Sequence, residues 1–230
     1  MNKNLRYAFI TSIPVLFGYL FLGIAFGLLL QNAGYNFIWA FFISLFVYAG
    51  SGQFVLVGFL SAGASLATAI FVTLSVNCRH IFYGLSFIER FRGMGKAYPY
   101  MIFSLTDETY SLLCSIRPPE DVDVNKASFY IALLDHCYWI LGSVLGAAIG
   151  QLFTFNTTGV DFAMTALFTV IFVEQWLSSK THLPAFSGLA SGIVSLLVFG
   201  PDKFLLPALC GAVAILLAAK KPISNAEGLE

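Results

Sequence analysis

Four clusters of polar residues interrupt long apolar runs, and chemistry could be done at them. The first is Tyr48-Ala49-Gly50-Ser51-Gly52-Gln53-Phe54. Gly50 and Gly52, with Ser51 between them, weaken a helix at that point. Backbone unwound at membrane depth is tolerated where it lines a cavity or is buried in protein, and its free amides and carbonyls can then hold a carboxylate or an amine. Gln53 adds a donor and an acceptor, although a tight helix crossing with a satisfied Gln would read the same way. The second cluster, Asn77-Cys78-Arg79-His80, sets a guanidinium deep in an apolar run. It could grip a substrate carboxylate through two parallel hydrogen bonds, or snorkel or pair within the protein. The third, Thr106-Asp107-Glu108-Thr109, places two carboxylates side by side, where their repulsion suits proton coupling. Asp107 could equally be the charge partner of Arg79, or the pair could begin a helix at an interface. The fourth is Asp135-His136, with Glu174-Gln175 as a later counterpart. Histidine can relay a proton, but both pairs sit near the ends of apolar segments, so solvation at an interface is the stronger expectation. The expected substrate-binding residues are therefore Tyr48, Gly50, Ser51, Gly52, Gln53, Asn77 and Arg79, and the expected proton-coupling residues are Asp107, Glu108 and His80.

The elements that position these groups follow from composition. The chain has 230 residues, 58% of them hydrophobic and only 10% charged, with a mean hydropathy of +0.83. Soluble domains carry about 25% charged residues, and a soluble fold of this length has no way to hide so much apolar surface. Lipid solvates it instead, and runs of about 20 apolar residues are long enough to cross as helices. The runs are unbroken rather than alternating, which argues against a membrane barrel. Apolar segments fall at 9–30, 37–60, 64–88, 99–115, 127–150, 160–177, 183–199 and 204–219. The expected fold is all-α, a polytopic transmembrane helical bundle of seven to eight segments with broken helices. It forms a single transporter domain over 1–223, with a disordered polar tail over 224–230. The apolar run after Lys3 and Arg6 continues to Leu30, longer than a signal core of about 7–15 residues, so it reads as a mature first span.

Basic residues set orientation. Lys3 and Arg6 at one end, and Lys220 and Lys221 at the other, place both termini in the cytoplasm, which eight crossings satisfy. The loop from Glu89 to Lys96, with Arg90 and Arg92, then falls outside, against the rule. One segment before it is therefore expected to be re-entrant or broken, with a matching defect later. Tyr19-Leu20-Phe21-Leu22-Gly23 with Gly27 is echoed by Tyr138-Trp139-Ile140-Leu141-Gly142 with Gly146, and each is followed by an apolar segment ending in a glutamine, Gln53 and Gln175. Two structural halves, 7–116 and 127–219, or chance among glycine-rich helices, account for the echo equally well. The small residues Gly23 and Gly27, Gly142, Gly146 and Gly150, and Ser187, Ser191 and Ser195 recur at four-residue spacing, as close helix packing in lipid requires. Trp39 and Trp176 mark membrane interfaces, while Trp139 could be interfacial or core.

Other chemistries find little support. Net charge is zero, so there is no basic field for nucleic acid. Cys78, Cys114, Cys137 and Cys210 lack metal-ligand spacing and read as small packing residues; no metal or cofactor is expected. No HExxH, GxxxxGK[ST] or GxSxG occurs. Ser51 with His80 or His136 could make an intramembrane serine protease only if they met in space, a minor alternative to a transporter. A passive channel using the broken second segment as its filter is the other alternative.

Four motifs, in order and at fitting spacing, resemble the AzlC family, the large subunit of branched-chain amino acid exporters. They are Gly18-Tyr19-Leu20-Phe21-Leu22-Gly23-Ile24-Ala25-Phe26-Gly27, Ala49-Gly50-Ser51-Gly52-Gln53-Phe54, Val76-Asn77-Cys78-Arg79-His80 and Leu105-Thr106-Asp107-Glu108. The resemblance covers about residues 7–219. Many members have Ala at Gly52, Pro at Phe21 and Leu at Cys78. The resemblance implies export of valine, leucine, isoleucine and sometimes methionine from the bacterial cytoplasm across the inner membrane. It also implies coupling to the proton motive force and a small hydrophobic AzlD-type partner subunit.

Overall fold

A computed structural model describes residues 2–77, 79–153, 162, 165, 166, 169, 172, 173, 176, 177, 179–200 and 204–219. Cys78, Glu174, Gln175, Lys220, Lys221 and the tail over 224–230 lie outside them. The described residues are helical, without strands. In chain order the helices are α1 (Lys3–Asn32), α2 (Phe37–Phe46), α3 (Gly50–Ala62), α4 (Leu66–Asn77), α5 (Arg79–Arg92), α6 (Tyr98–Phe103), α7 (Asp107–Ser115), α8 (Val124–Leu152), α9 (Leu183–Phe199) and α10 (Leu205–Ala218). α1 and α8 are each long and apolar enough to cross a membrane, and Leu66–Leu74 with Arg79–Arg92 supplies a third candidate if read as one broken span. At about 1.5 Å per residue, α1 exceeds the roughly 30 Å hydrocarbon core. Large apolar side chains such as Phe17, Phe21, Leu66 and Leu197 point outward, as a lipid-facing surface requires. Cys114, Cys137 and Cys210 also lie at the surface, where packing residues were expected.

The chain divides into two compact units, one of residues 1–64 and 76–164, the other of 65–75 and 165–230. In the second unit, Ser187, Ser191 and Ser195 form the buried face of α9. Ser191 Oγ donates to the Ala208 carbonyl of α10 at 2.7 Å, so the serine stripe is a packing face.

The first unit is built on α1 against α8. The two glycine motifs that echo each other in sequence meet here. A Cβ on Gly23 would stand 2.9 Å from Ser143 N, and one on Gly142 would stand 2.8 Å from the Tyr19 carbonyl. Gly27 meets the Ser143 carbonyl and Gly146 the Ile24 carbonyl more closely still. Backbone therefore lies on backbone over two turns, which a β-carbon would prevent.

One end of this unit collects Lys3, Arg90 and Lys126. Lys3 pairs with Asp121 at 2.8 Å, and the Asp123 amide donates to Asn4 Oδ1 at 3.0 Å. Arg90 donates to Ser128 Oγ at 2.8 Å and to the Leu113 carbonyl at 3.1 Å. The Glu89–Lys96 loop thus lies at the same end as Lys3 and Arg6, removing the conflict that eight crossings created. The fourth apolar segment, after that loop, starts and finishes at this end, so α8 begins there too. α6 leaves that end and α7 returns to it, with the chain turning at Ser104–Thr106. Met101, Leu105, Leu113 and Ile116 of this hairpin pack in one cluster with Ala8, Phe91 and Ile131. Sixteen or so apolar residues are near the length of a crossing; the break before Asp107 folds them into a helical hairpin.

Candidate functional site

Three chain breaks meet in the first unit, against Tyr19 of α1 and the Asp135–Trp139 stretch of α8. The first separates α2 from α3 at Val47–Ala49, immediately before the Gly50-Ser51-Gly52 run. Tyr48 there has φ of 40°, a left-handed conformation that strains a bulky residue. Packing holds it: its ring stacks on His136 at 4.1 Å and lies 6.2 Å from Phe103.

Helix ends buried at such a break leave backbone groups without partners. α8 and α3 supply them. His136 Nε2 is 3.2 Å from the Ser44 carbonyl at the end of α2, and its Nδ1 is 3.1 Å from Tyr100 OH. A carbonyl only accepts, so Nε2 carries the hydrogen and Nδ1 of the neutral ring accepts from Tyr100. Gln53 is fully buried. Its Oε1 accepts from the Ala49 amide at 3.3 Å and from Trp139 Nε1 at 2.7 Å, and its Nε2 donates to Ser44 Oγ at 3.2 Å. Gln53 therefore ties the break to α8, and Trp139 is core. No side chain caps α3 at Ala49, so the first amides of α3, from Gly50 and Ser51, face the break as free donors.

The second break lies between α4 and α5, next to Arg79. Arg79 grips Asp107 with two hydrogen bonds, Nε to Oδ1 at 2.8 Å and Nη2 to Oδ2 at 2.7 Å. Nη2 also donates to Ser51 Oγ at 2.8 Å, and Nη1 to the Val76 carbonyl at 3.3 Å. Tyr83 OH donates to Asp107 Oδ1 at 2.7 Å. The pair keeps about a quarter to a third of its side-chain surface exposed, 26% for Arg79 and 31% for Asp107. Of the roles open to Asp107, charge partner of Arg79 is the one the geometry contains. Ser51 is bonded to the guanidinium, an arrangement unlike a Ser–His nucleophile. Asn77 lies against Gly52, where a Cβ would stand 2.7 Å from its Nδ2, and its Oδ1 is buried without a partner. His80 tilts against Tyr83 at 5.7 Å.

The third break is the tip of the α6–α7 hairpin. Thr106 caps α7, accepting from the Thr109 amide at 3.3 Å. Tyr19 OH lies 2.6 Å from Thr106 Oγ1 and donates to Glu108 Oε2 at 2.8 Å. Thr109 Oγ1 donates to Asp135 Oδ2 at 2.8 Å.

Asp135 and His136 correct the expectation of interfacial solvation: they are 0% and 5% exposed. α8 begins at Val124, so the two lie about three turns inside it. The expected site residues omit Tyr19, Tyr83, Thr109 and Ser44, although Thr109 stands in the third cluster and Tyr19 in the first glycine motif; Tyr83 and Ser44 are single polar groups among apolar neighbours, a pattern shared with any helix. What brings them together is the break, which exposes helix ends that need partners. Chemically, the arrangement offers a half-open ion pair, unfilled donors at the start of α3 and an apolar wall from Phe54, Tyr48 and Phe103. That suits a small zwitterion with an apolar side chain.

A family model described as AzlC protein matches residues 14–153, which contain every residue of this site. The chain is 41% identical to a branched-chain amino acid transport protein, AzlC, of Bacillus subtilis, over 99% of this chain and 92% of that relative. It is 42% identical to an uncharacterized membrane protein of Helicobacter pylori, over 96% of this chain and 97% of the relative. An inner membrane protein of Escherichia coli, YgaZ, is 27% identical over 90% and 88%. No solved structure matches.

Proposed function

Since this membrane protein belongs to the AzlC family of transport proteins, we propose that it exports the branched-chain amino acids valine, leucine and isoleucine, and methionine beside them, from the cytoplasm in exchange for protons. The observation that carries this reading is the meeting of three helix breaks around the Arg79–Asp107 pair in an apolar bundle. Secondary transporters bind substrate at such discontinuities, where helix ends offer unpaired backbone groups and charges are shielded from lipid. The substrate carboxylate competes with Asp107 for Arg79 and takes the free amides of Gly50 and Ser51. Its ammonium group faces Asp107, with Asn77 Oδ1 as a second acceptor, and its side chain lies against Tyr48 and Phe54. Glu108 takes up a proton as substrate leaves, and His80 adjusts the field at Arg79.

The chain sits in the bacterial inner membrane as a multi-pass protein, with the basic end bearing Lys3, Arg90 and Arg92 in the cytoplasm. One segment before Arg90 is re-entrant or broken, the α6–α7 hairpin is the matching defect after it, and the glycine echo between α1 and α8 is the remnant of two structural halves. A small AzlD-type membrane subunit completes the exporter. A passive channel through the same break would equalise concentrations and nothing more.

Efflux of radiolabelled valine from cells loaded with a valine dipeptide, with and without this chain and its small-subunit neighbour, tests the reading. The expected result is chain-dependent efflux against the gradient, abolished when the proton gradient collapses and lost in Asp107→Asn at normal membrane abundance. Efflux that stops at equal concentrations means a channel. No chain-dependent efflux, with both subunits present in the membrane, removes the reading.

A further inference from the structure

Glu108 and Asp135 are joined through three hydroxyl groups. Tyr19 OH donates to Glu108 Oε2 at 2.8 Å and lies 2.6 Å from Thr106 Oγ1. Thr106 Oγ1 donates to Thr109 Oγ1 at 3.1 Å, and Thr109 Oγ1 donates to Asp135 Oδ2 at 2.8 Å. Five oxygens thus make four links. A hydroxyl owns one hydrogen and an ionised carboxylate none, so Tyr19, Thr106 and Thr109 together fill three links. With both carboxylates ionised, one of the two links at Thr106 goes unfilled, since its single hydrogen serves either Tyr19 at 2.6 Å or Thr109 at 3.1 Å. One proton on either carboxyl fills all four links.

We propose that Glu108 and Asp135 share a single exchangeable proton, passed between them through Tyr19, Thr106 and Thr109. With the proton on Glu108, the hydrogen bonds run from Glu108 through Tyr19, Thr106 and Thr109 to Asp135; with it on Asp135, each of them points the other way. In the transfer each hydroxyl accepts one proton and releases its own, so every hydroxyl ends neutral. One carboxyl gains the proton the other loses, and no electron or co-reactant is involved. The hydrogens of a connected chain reorient together, which makes the two ends alternatives.

The two ends differ in surroundings. Glu108 adjoins Asp107 and feels Arg79, so its charge is tied to whether Arg79 is held by Asp107 or by substrate. Asp135 is fully buried, and no ion pair among the described residues includes it. Its Oδ1 is buried without a partner. The groups that face it are Tyr48 at the α2–α3 break, Tyr19 of α1, Tyr100 of α6, Glu108 of α7 and Tyr138 on its own helix. Asp135 is thus the far store of a proton whose near end senses the substrate site. The export reading gives this proton its purpose; the connected chain and its count of hydrogens argue for its presence without that reading.

The test uses the purified full-length protein, with its small subunit where the assembly requires it, and reads the infrared carbonyl stretch of protonated carboxyl groups at neutral pH. A band should be present in the unaltered protein and absent from the Glu108→Gln/Asp135→Asn double variant. Thr109→Val, which keeps both carboxyls but cuts the chain, should shift the band, and Thr109→Ser should return it. The same band in wild type and double variant, no band in either, or a band that Thr109→Val leaves unmoved would each overturn the proposal. In vesicles, valine accumulation driven by a proton gradient should be lost in Thr109→Val and recovered in Thr109→Ser. If wild type moves no branched-chain amino acid while the band behaves as expected, the export reading fails and the shared proton stands. If Thr109→Val accumulates valine as wild type does, sharing fails and export stands.

Discussion

α1 and α8 hold together by what they lack, whereas the three breaks beside them hold together by what they carry. Along the α1–α8 seam, Gly23, Gly27, Gly142 and Gly146 let backbone approach backbone, with the Ser12–Tyr138 hydroxyl contact at 3.2 Å a local addition to it. At the breaks, named side chains meet backbone groups at the helix ends, His136 the Ser44 carbonyl, Gln53 the Ala49 amide and Thr106 the Thr109 amide, while the start of α3 has no side-chain cap. Lipid offers helices no hydrophobic drive to associate, so the seam depends on close van der Waals contact. It also offers no water to unpaired backbone, so the breaks depend on hydrogen bonds. The two regions should therefore fail under different substitutions: added bulk in one, removed polarity in the other.

The largest effect is expected at the seam. Gly146→Ala places a methyl group against the Ile24 carbonyl, and Gly27→Ala places one against that of Ser143; neither neighbour is a side chain able to turn away. Parting two helices of this length costs contact along the whole seam, about 3 kcal/mol or more, at the upper end of overpacking penalties. Melting of the detergent-purified variants should fall accordingly, together with membrane abundance. Near-normal melting of Gly146→Ala would mean that the seam is loose and that the polar breaks carry the fold.

Next comes the ion pair. Arg79→Ala leaves Asp107 with only Tyr83, and Ser51 without its donor. Breaking a fully buried pair costs about 3–5 kcal/mol; this one keeps part of its surface wet, so about 2 kcal/mol is expected. Asp107→Asn should cost less, because it keeps the shape and one acceptor. Gly52→Ala sharpens the contrast, since its methyl group would meet only the movable carboxamide of Asn77. It should be tolerated in melting while weakening valine binding, whereas the same change at Gly27 is not tolerated.

How far each region was legible in the sequence follows from the same contrast. The GxxxG spacing is a direct record of close packing, so Gly23, Gly27, Gly142 and Gly146 announced a seam. The Gly50-Ser51-Gly52 run announced the second-segment break to within a few residues, because glycine weakens a helix wherever it stands. The turn at Ser104–Thr106 carries no glycine or proline. It arises where Thr106 caps α7 and Asp107 meets Arg79, a contact between residues far apart in the chain, so apolar length alone suggested a crossing. Asp135 was misread for a related reason. Distance from the end of an apolar run was taken as distance from water, but α8 begins earlier, at Val124 under an Asp123 cap, which carries Asp135 about three turns in.

A third test removes polarity without charge. Gln53→Met keeps approximate volume but deprives the Trp139 Nε1 and Ala49 amide of their acceptor and Ser44 of its donor. Each stranded buried donor costs about 1–3 kcal/mol before relaxation, and about 1.5 kcal/mol is the expected net loss once the flexible thioether and its neighbours adjust. Trp139 fluorescence should move with it, since the indole N–H loses its partner. An unchanged emission spectrum with unchanged melting would show that the break is held by the Tyr48–His136 stack alone.

The smallest effect separates the scaffold from its caps. At the basic end, the Lys126 amide, then that of Asn125, holds the Asp123 carboxyl below the usual carboxylate range, and the Lys3 ammonium does the same for Asp121. A folded-state value below the unfolded one adds stability that is present above the unfolded carboxylate value, near about 4, and is lost as pH falls through the folded value. Melting of the wild type should therefore decline slightly below about pH 4. Asp123→Asn retains an oxygen to cap α8 and should lose most of Asp123's share of that pH step while melting near wild type at neutral pH. Asp123→Ala should lose the cap at every pH. Both groups are fully exposed, so the acid step should be far smaller than the loss in Gly146→Ala. If it were larger, α8 would be held in place by its capped, water-facing end, and the glycine seam would be a consequence of that anchoring instead of its cause.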